Sequence, residues 1–278
     1  MRLRIRHRTV HRYDSAPGRL AQLIPLTPSA SSGLRVLTWQ VSDERGALPF
    51  SFADAHGNLC HYLARRSAPQ EVCIVAEGEV ETLRIGEPNA QPGALPPRFF
   101  LRATPLTAPH ASLDALAREA HSGAPARAED ELLALAVLVR ERIPHRIVET
   151  TVRTNAADAL AGAGGVCQDR AHVLIAAARA LGHPARYVSG YLHDADADAG
   201  NSEGAMHAWA EVWLEQRGWL ALDPSSGERT GGGHVSVAVG LDYTDAAPVR
   251  GVRTGGAQEQ LSVSVRVQET QQRESQQQ

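Results

Sequence analysis

The chain has 278 residues, 43% hydrophobic and 21% charged, a globular composition long enough for one large domain or two medium ones. Its 28 basic and 31 acidic residues give a net charge of -3, which leaves no overall positive field to draw nucleic acid or an anionic membrane. Every basic residue is Arg, and the absence of Lys excludes P-loop, Schiff-base and pyridoxal-phosphate lysine chemistry.

Residues 2–13 alternate in the manner of a strand, with Leu3, Ile5 and His7 on one face and Arg on the other. Further strand-like runs lie at Leu34–Val41, Leu59–Ala64 and Glu71–Leu83, separated by turn signals such as Ala16-Pro17-Gly18 and His56-Gly57-Asn58. Short strands at regular spacing predict an antiparallel β-sandwich over residues 1–86. The proline-rich residues 87–110 are expected to form a linker.

The periodicity then becomes helical over Ser112–His121 and Arg127–Ile143, and Asn155 is placed to cap a short helix through Leu160. From Cys167 to Leu181 the residues after the first turn are apolar nearly all round, which predicts a buried central helix closed by Gly182 and Pro184. Strands expected at Ala185–Leu192, His207–Leu214, Trp219–Asp223, His234–Gly240 and Leu261–Val267 complete a core over residues 111–267. Gln268 to Gln278 is polar and expected to be a disordered tail. The predicted fold class is α+β.

Cys60, Cys73 and Cys167 include no C-x-x-C pair, which argues against a disulfide framework or a structural zinc site. The acidic run Asp194–Asp198 lacks a calcium loop's glycine and final glutamate, since Ala199 and Ala205 stand there. It is expected to be a solvated loop. No metal and no cofactor are predicted. No apolar run has membrane-spanning length, and the first residues lack the apolar core of a signal peptide. A cytoplasmic protein without nucleic-acid or membrane partners is the expectation.

Cys167 stands where a Gly-rich turn becomes a helix. Unpaired N–H groups and the positive end of the helix dipole favour a thiolate there. Gly164 and Gly165 are expected to leave room for a substrate backbone. A cysteine nucleophile needs a base and an orienting group. His207 shares one strand face with Trp209, Glu211 and Trp213, and the next strand ends at Asp223. A connection from Leu214 to Gly218 sets Trp213 opposite Trp219 and brings Asp223 opposite Trp209, one diagonal step from His207. A connection one residue shorter would put Asp223 on the other face. Each residue alone is compatible with a structural role; the order Cys, His, Asp on helix start, strand and strand end is the specific signal.

The stretches Gly165-Val166-Cys167-Gln168-Asp169, Ala171-His172, Pro184 to Tyr191, His207 to Val212, Gly218-Trp219 and Leu222-Asp223-Pro224 resemble the transglutaminase-like superfamily. So does Val237 to Tyr243, followed by Pro248 to Val252, and the N-terminal strands look like the β domain that accompanies this core in bacterial members. The resemblance implies a papain-like triad of Cys167, His207 and Asp223 that attacks an amide carbonyl and passes the acyl group to an amine or to water. Gly165, Gln168 and Trp209 are the expected substrate-binding residues. The chain departs from the family at Arg170, where many relatives carry an aromatic residue, which implies a more polar cleft. It also departs at Ala161, where papain-like enzymes place an oxyanion-binding Gln. A hydrolase of peptide or isopeptide bonds in a peptide or protein substrate is the leading expectation. A protein-glutamine transglutaminase and a non-catalytic interaction module are the alternatives.

Overall fold

The first strands are β1 (Arg2–Tyr13), β2 (Arg19–Ile24), β3 (Leu34–Asp43), β4 (Gly46–Ala47), β5 (Ser51–Ala53), β6 (Leu59–Arg66) and β7 (Glu71–Thr82). Four helices follow: α1 (Ala111–Gly123), α2 (Ala128–Arg142), α3 (Ala156–Ala161) and α4 (Cys167–Ala180). Then come β8 (Ala185–Leu192), β9 (His207–Leu214), β10 (Gly218–Asp223), β11 (Glu228–Arg229), β12 (His234–Gly240), α5 (Tyr243–Ala246), β13 (Arg250–Thr254) and β14 (Glu259–Glu269). This computed structural model describes residues 1–29, 33–83, 93–123, 127–146, 151–193, 206–256 and 258–270.

The arginines of β1 meet a matching row of glutamates. Arg4 lies opposite Glu79, Arg6 opposite Glu77 and Arg12 opposite Glu71, and each pair is salt-bridged. A one-residue slip would turn these charges inward, so the row fixes register. Being exposed, the pairs add little stability. The other face of β1 buries Leu3, Ile5 and His7, as the alternation predicts.

Two antiparallel sheets, β14-β1-β7-β3-β4 and β13-β2-β6-β5, make the sandwich. Here the structure departs from the expected division of the chain. β14 pairs with β1 from Tyr13↔Glu259 to Leu3↔Glu269, and β13 pairs with β2. β13 and β14 therefore complete the sandwich rather than the core. Gln268 and Glu269 belong to β14 rather than to a tail, while residues 271–278 lie outside the described residues, as does the run Asp194–Asp198. Alternation reveals that Leu261–Val267 is a strand but not which neighbour it takes.

The core sheet, β11-β10-β9-β8-β12, is antiparallel throughout. Ala208, Ala210, Val212 and Leu214 of β9 pack in one cluster with Ala171, Leu174, Ile175 and Ala178 of α4. Small side chains on both elements let helix and sheet approach closely. Leu113 and Leu116 of α1 and Leu132, Leu135 and Val139 of α2 cover the remaining sides of α4. The all-round apolar character of that helix follows from being enclosed on every side.

The segment expected as a linker is partly structural. Residues 84–92 lie outside the described residues, but Pro97–Leu101 and Pro105–Thr107 form short 3-10 turns. Phe100 is buried edge-on against Trp219. Arg179 of α4 donates to the carbonyls of Phe100 (2.8 Å), Ala185 (2.8 Å) and Leu241 (2.8 Å) and to Thr107 Oγ1 (2.7 Å). One half-buried guanidinium thus ties the proline-rich segment to the core.

Sandwich and core also meet along a seam. Tyr191, Val235 and Val237 pack into the sandwich cluster, and His7 contacts the Tyr191 hydroxyl at 3.1 Å. The Asn58 side chain hydrogen-bonds both backbone groups of Val239 at 2.8 Å, serving β12 as a surrogate strand neighbour. Among the described residues no helix is long and apolar enough to cross a membrane.

Candidate active site

Cys167 is the first residue of α4, and Val166 caps the helix in an extended conformation. Asp169 folds back so that its Oδ2 accepts the Val166 N–H at 2.9 Å, which closes the first turn. The preceding glycines are required by the chain itself. A Cβ on Gly165 would lie 2.9 Å from Asp169 Oδ2 and 3.1 Å from Ile143 Cγ2, and one on Gly164 would lie 2.9 Å from the Pro144 carbonyl. The room expected there for a substrate is filled by the protein's own atoms, and Gly165 is buried.

The hairpin of β9 and β10 has the register the sequence predicts. Leu214 pairs with Gly218 and Trp213 with Trp219, leaving Gln216 at φ 68° in the turn. Asp223 therefore falls on the His207 face. His207 Nε2 lies 2.7 Å from Asp223 Oδ2, and the Cys167 side chain acts on the same imidazole. The three residues proposed from their order along the chain are brought together.

A fourth residue joins them. His234, the first of β12, places Nε2 at 3.1 Å from the same Asp223 oxygen. Its Nδ1 accepts the backbone N–H of Gly231 at 3.1 Å. That backbone donor fixes the tautomer: Nδ1 is the acceptor, so Nε2 carries the proton and donates it to Asp223. The other carboxylate oxygen accepts the Ser225 N–H at 2.8 Å. Burial opposes the charge on Asp223, yet donation from His207 and His234 holds its carboxyl well below the usual range. Burial likewise disfavours a charged His207. Its interactions with Asp223 and Cys167 outweigh that effect and push its pKa up to about 10.

Among the described residues, His207, Asp223 and His234 also make a cluster whose ligand atoms lie within 4.8 Å of one another. A metal on Nε2 of His234 would need Nδ1 to carry the proton and donate it outward. Nδ1 instead faces the N–H of Gly231, donor against donor. The cluster fits a hydrogen-bond chain, not a cation.

Trp209 does not line an open cleft. Only 2% exposed, it packs edge-on against His234 (ring centroids 5.3 Å apart) and beside His207 (6.1 Å). It does so by crossing over Gly190, where a Cβ would come within 2.3 Å of the indole. Gln168 is partly exposed next to Cys167. Arg170 is buried rather than lining a polar cleft. Its Nε donates to the Ile143 carbonyl at 2.9 Å, and its charge acts on both Asp223 and Cys167. His172 is structural: it accepts the Tyr243 N–H at 3.2 Å, and burial lowers its pKa to about 4. Sequence reasoning missed the contact of His234 with the acid and the burial of Arg170.

Comparison with known proteins identifies the family. The family described as the transglutaminase-like superfamily matches residues 114–224, and the bacterial transglutaminase-like N-terminal region matches residues 3–81. "Uncharacterized protein ML0607" of Mycobacterium leprae is 31% identical over 278 residues, covering 96% of this chain and 98% of its own. A Pseudomonas aeruginosa protein-glutamine gamma-glutamyltransferase is 38% identical over 65 residues, 22% of this chain and 10% of that protein. A crystal structure called "a Putative Cysteine Protease from Cytophaga hutchinsonii" superposes with a TM-score of 0.72 at 20% identity, covering 98% of this chain and 92% of that one, and so shares the fold. With both regions matched in order and relatives aligned over nearly their whole length, the chain belongs to the transglutaminase-like superfamily.

Proposed function

We propose that this protein is a cysteine hydrolase that cleaves peptide or isopeptide amide bonds of a peptide or protein substrate through a thioester. The observation that carries the reading is the His207–Asp223 hydrogen bond beside Cys167, which opens a buried helix and acts on the same imidazole. In this reading Asp223 orients the imidazole through Nε2, which leaves Nδ1 for the thiol. The Cys167 thiolate attacks the amide carbon, the C–N bond breaks, and the His207 imidazolium protonates the departing amine. The backbone N–H of Cys167, at a position without an intrahelical acceptor, donates to the oxyanion. His207 then takes a proton from water, the hydroxide attacks the thioester, and a carboxylic acid and the free thiol result. Cys167 and His207 are both partly open to solvent, which gives water access to the acyl group.

A Gln-bearing peptide incubated with the full chain, with and without an added primary amine, tests the reading. A hydrolysis product in both reactions, either Glu with ammonia from the side-chain amide or a new amine and carboxylate from a cleaved peptide bond, is expected and is abolished by Cys167→Ala. An amine adduct as the main product would replace hydrolysis by acyl transfer. Absence of any Cys167-dependent product across a peptide library would favour a binding module.

A further inference from the structure

We propose that His234 is a positioning residue for the reactive set: its Nε2–H holds the Asp223 carboxylate in a fixed orientation against His207. The inference rests on the reading of Cys167, His207 and Asp223 given above and adds a member to it. Three donors fix that carboxylate: His207 at 2.7 Å and His234 at 3.1 Å on Oδ2, and the Ser225 N–H at 2.8 Å on Oδ1. The charged or titratable groups around it are His207, His234, Cys167 beyond His207, and the Arg170 guanidinium.

The imidazole of His234 cannot turn to serve another partner. Gly231 holds its Nδ1, and the edge of Trp209 meets its ring. The contact bridges β8, because Gly190 pairs with His207 on one side and Ser236 on the other. Without a side chain at Gly190, Trp209 can lie across that strand and buttress both imidazoles. Removing the His234 donor frees the Asp223 carboxylate to rotate and leaves the imidazolium of His207 with a less well-placed counter-charge. An imidazolium no longer held in place beside Cys167 stabilises its thiolate less, so the thiolate forms only at higher pH.

The test is the rate at which iodoacetamide alkylates Cys167 in the full chain between pH 4 and 8, read by mass spectrometry. Wild type, His207→Ala, His234→Phe and His234→Gln are compared, with thermal melts to verify folding. In His234→Phe the rate at pH 5 is expected to fall about tenfold as the acid limb rises by about one pH unit. His234→Gln, whose amide can donate to Oδ2, is expected to stay within about threefold of wild type. If His234→Phe does not fold, His234→Asn, too short to reach Oδ2, supplies the same readout. An unchanged acid limb in the donorless variant overturns the proposal, and so does a loss in His234→Gln as large as in His234→Phe. Wild-type labelling that ignores His207→Ala would instead bring down the parent reading, and this inference with it.

Discussion

Trp213 faces Trp219 across the β9–β10 hairpin, their rings meeting edge to face with centroids 5.3 Å apart. Trp219 is also edge-on to Phe100 and lies beneath the Arg186 guanidinium at 4.0 Å, while Arg186 hydrogen-bonds Glu211 at 2.6 Å. This cluster holds the register that puts Asp223 on the His207 face. Trp219→Ala is expected to cost about 3–5 kcal/mol and to abolish His207-dependent alkylation of Cys167. Trp219→Phe should lose less and keep the labelling. Urea denaturation and cysteine labelling on the same samples check both statements.

Arg179→Met should weaken the fold without touching the reactive residues. It leaves the carbonyls of Phe100, Ala185 and Leu241 without their guanidinium partner. A loss of about 2–4 kcal/mol is expected, with Cys167 labelling per folded molecule unchanged. Burial already lowers the pKa of this arginine to about 10, and the Asp242 charge partly offsets that. Hydrogen exchange should show the segment around Phe100 opening first. Uniform loss of protection would contradict that role.

The ion pair of His207 and Asp223 gives stability a particular pH dependence. The contribution of His207 is complete below its ordinary pKa of about 6.5 and is lost as pH rises through about 10. That of Asp223 is complete above its ordinary value of about 4 and is lost as pH falls through its depressed folded value. Both describe one interaction and count once. The difference in unfolding free energy between wild type and His207→Ala should therefore be widest between about pH 4 and 6.5 and shrink toward pH 10. Urea midpoints across that range provide the check, and a difference that widens with pH would refute it.

Arg170→Met should slow Cys167 alkylation near pH 6 about tenfold, because the buried guanidinium favours the negative charge of both Cys167 and Asp223. The thermal midpoint should fall as well, since the Ile143 carbonyl loses its buried donor. Labelling that stays at the wild-type rate would restrict Arg170 to anchoring the Ile143 carbonyl.

Much of this site was legible because strand parity and turn length are local properties. The bounds of β8, β9 and β12 coincide with the apolar runs between Gly, Pro and Asp, and the hairpin length alone assigned Asp223 to a face. His234 was invisible because it reaches Asp223 across β8 and β9, a lateral relationship that neither periodicity nor loop length records. β2 escaped notice because Gln22, polar yet only 4% exposed, occupies an inward position. β13, Arg-Gly-Val-Arg-Thr, carries no apolar alternation at all. The strand face that makes Trp209 an expected substrate-binding residue is legible in the sequence, but the close approach to Gly190 that lets it bury is not. The proline content around Phe100 suggested a spacer; two side chains, Phe100 and Arg179, made it part of the core.

The pairing of β14 with β1 has a consequence for how the molecule is made. When the ribosome has released β1 through β7, the strand that covers one edge of β1 is still more than 150 residues from synthesis. The N-terminal sheet must wait with that edge open while the intervening core folds, a state prone to pairing with other chains. Core folding brings Pro248 and β13 back toward β2, and only then can β14 dock. A fragment ending near residue 110 would lack both β13 and β14, leaving β1 and β2 each with an uncovered edge, and is expected to aggregate on expression. Permuting the chain to begin at β13, with a linker joining the old termini, would supply the missing strands first and shorten that exposure.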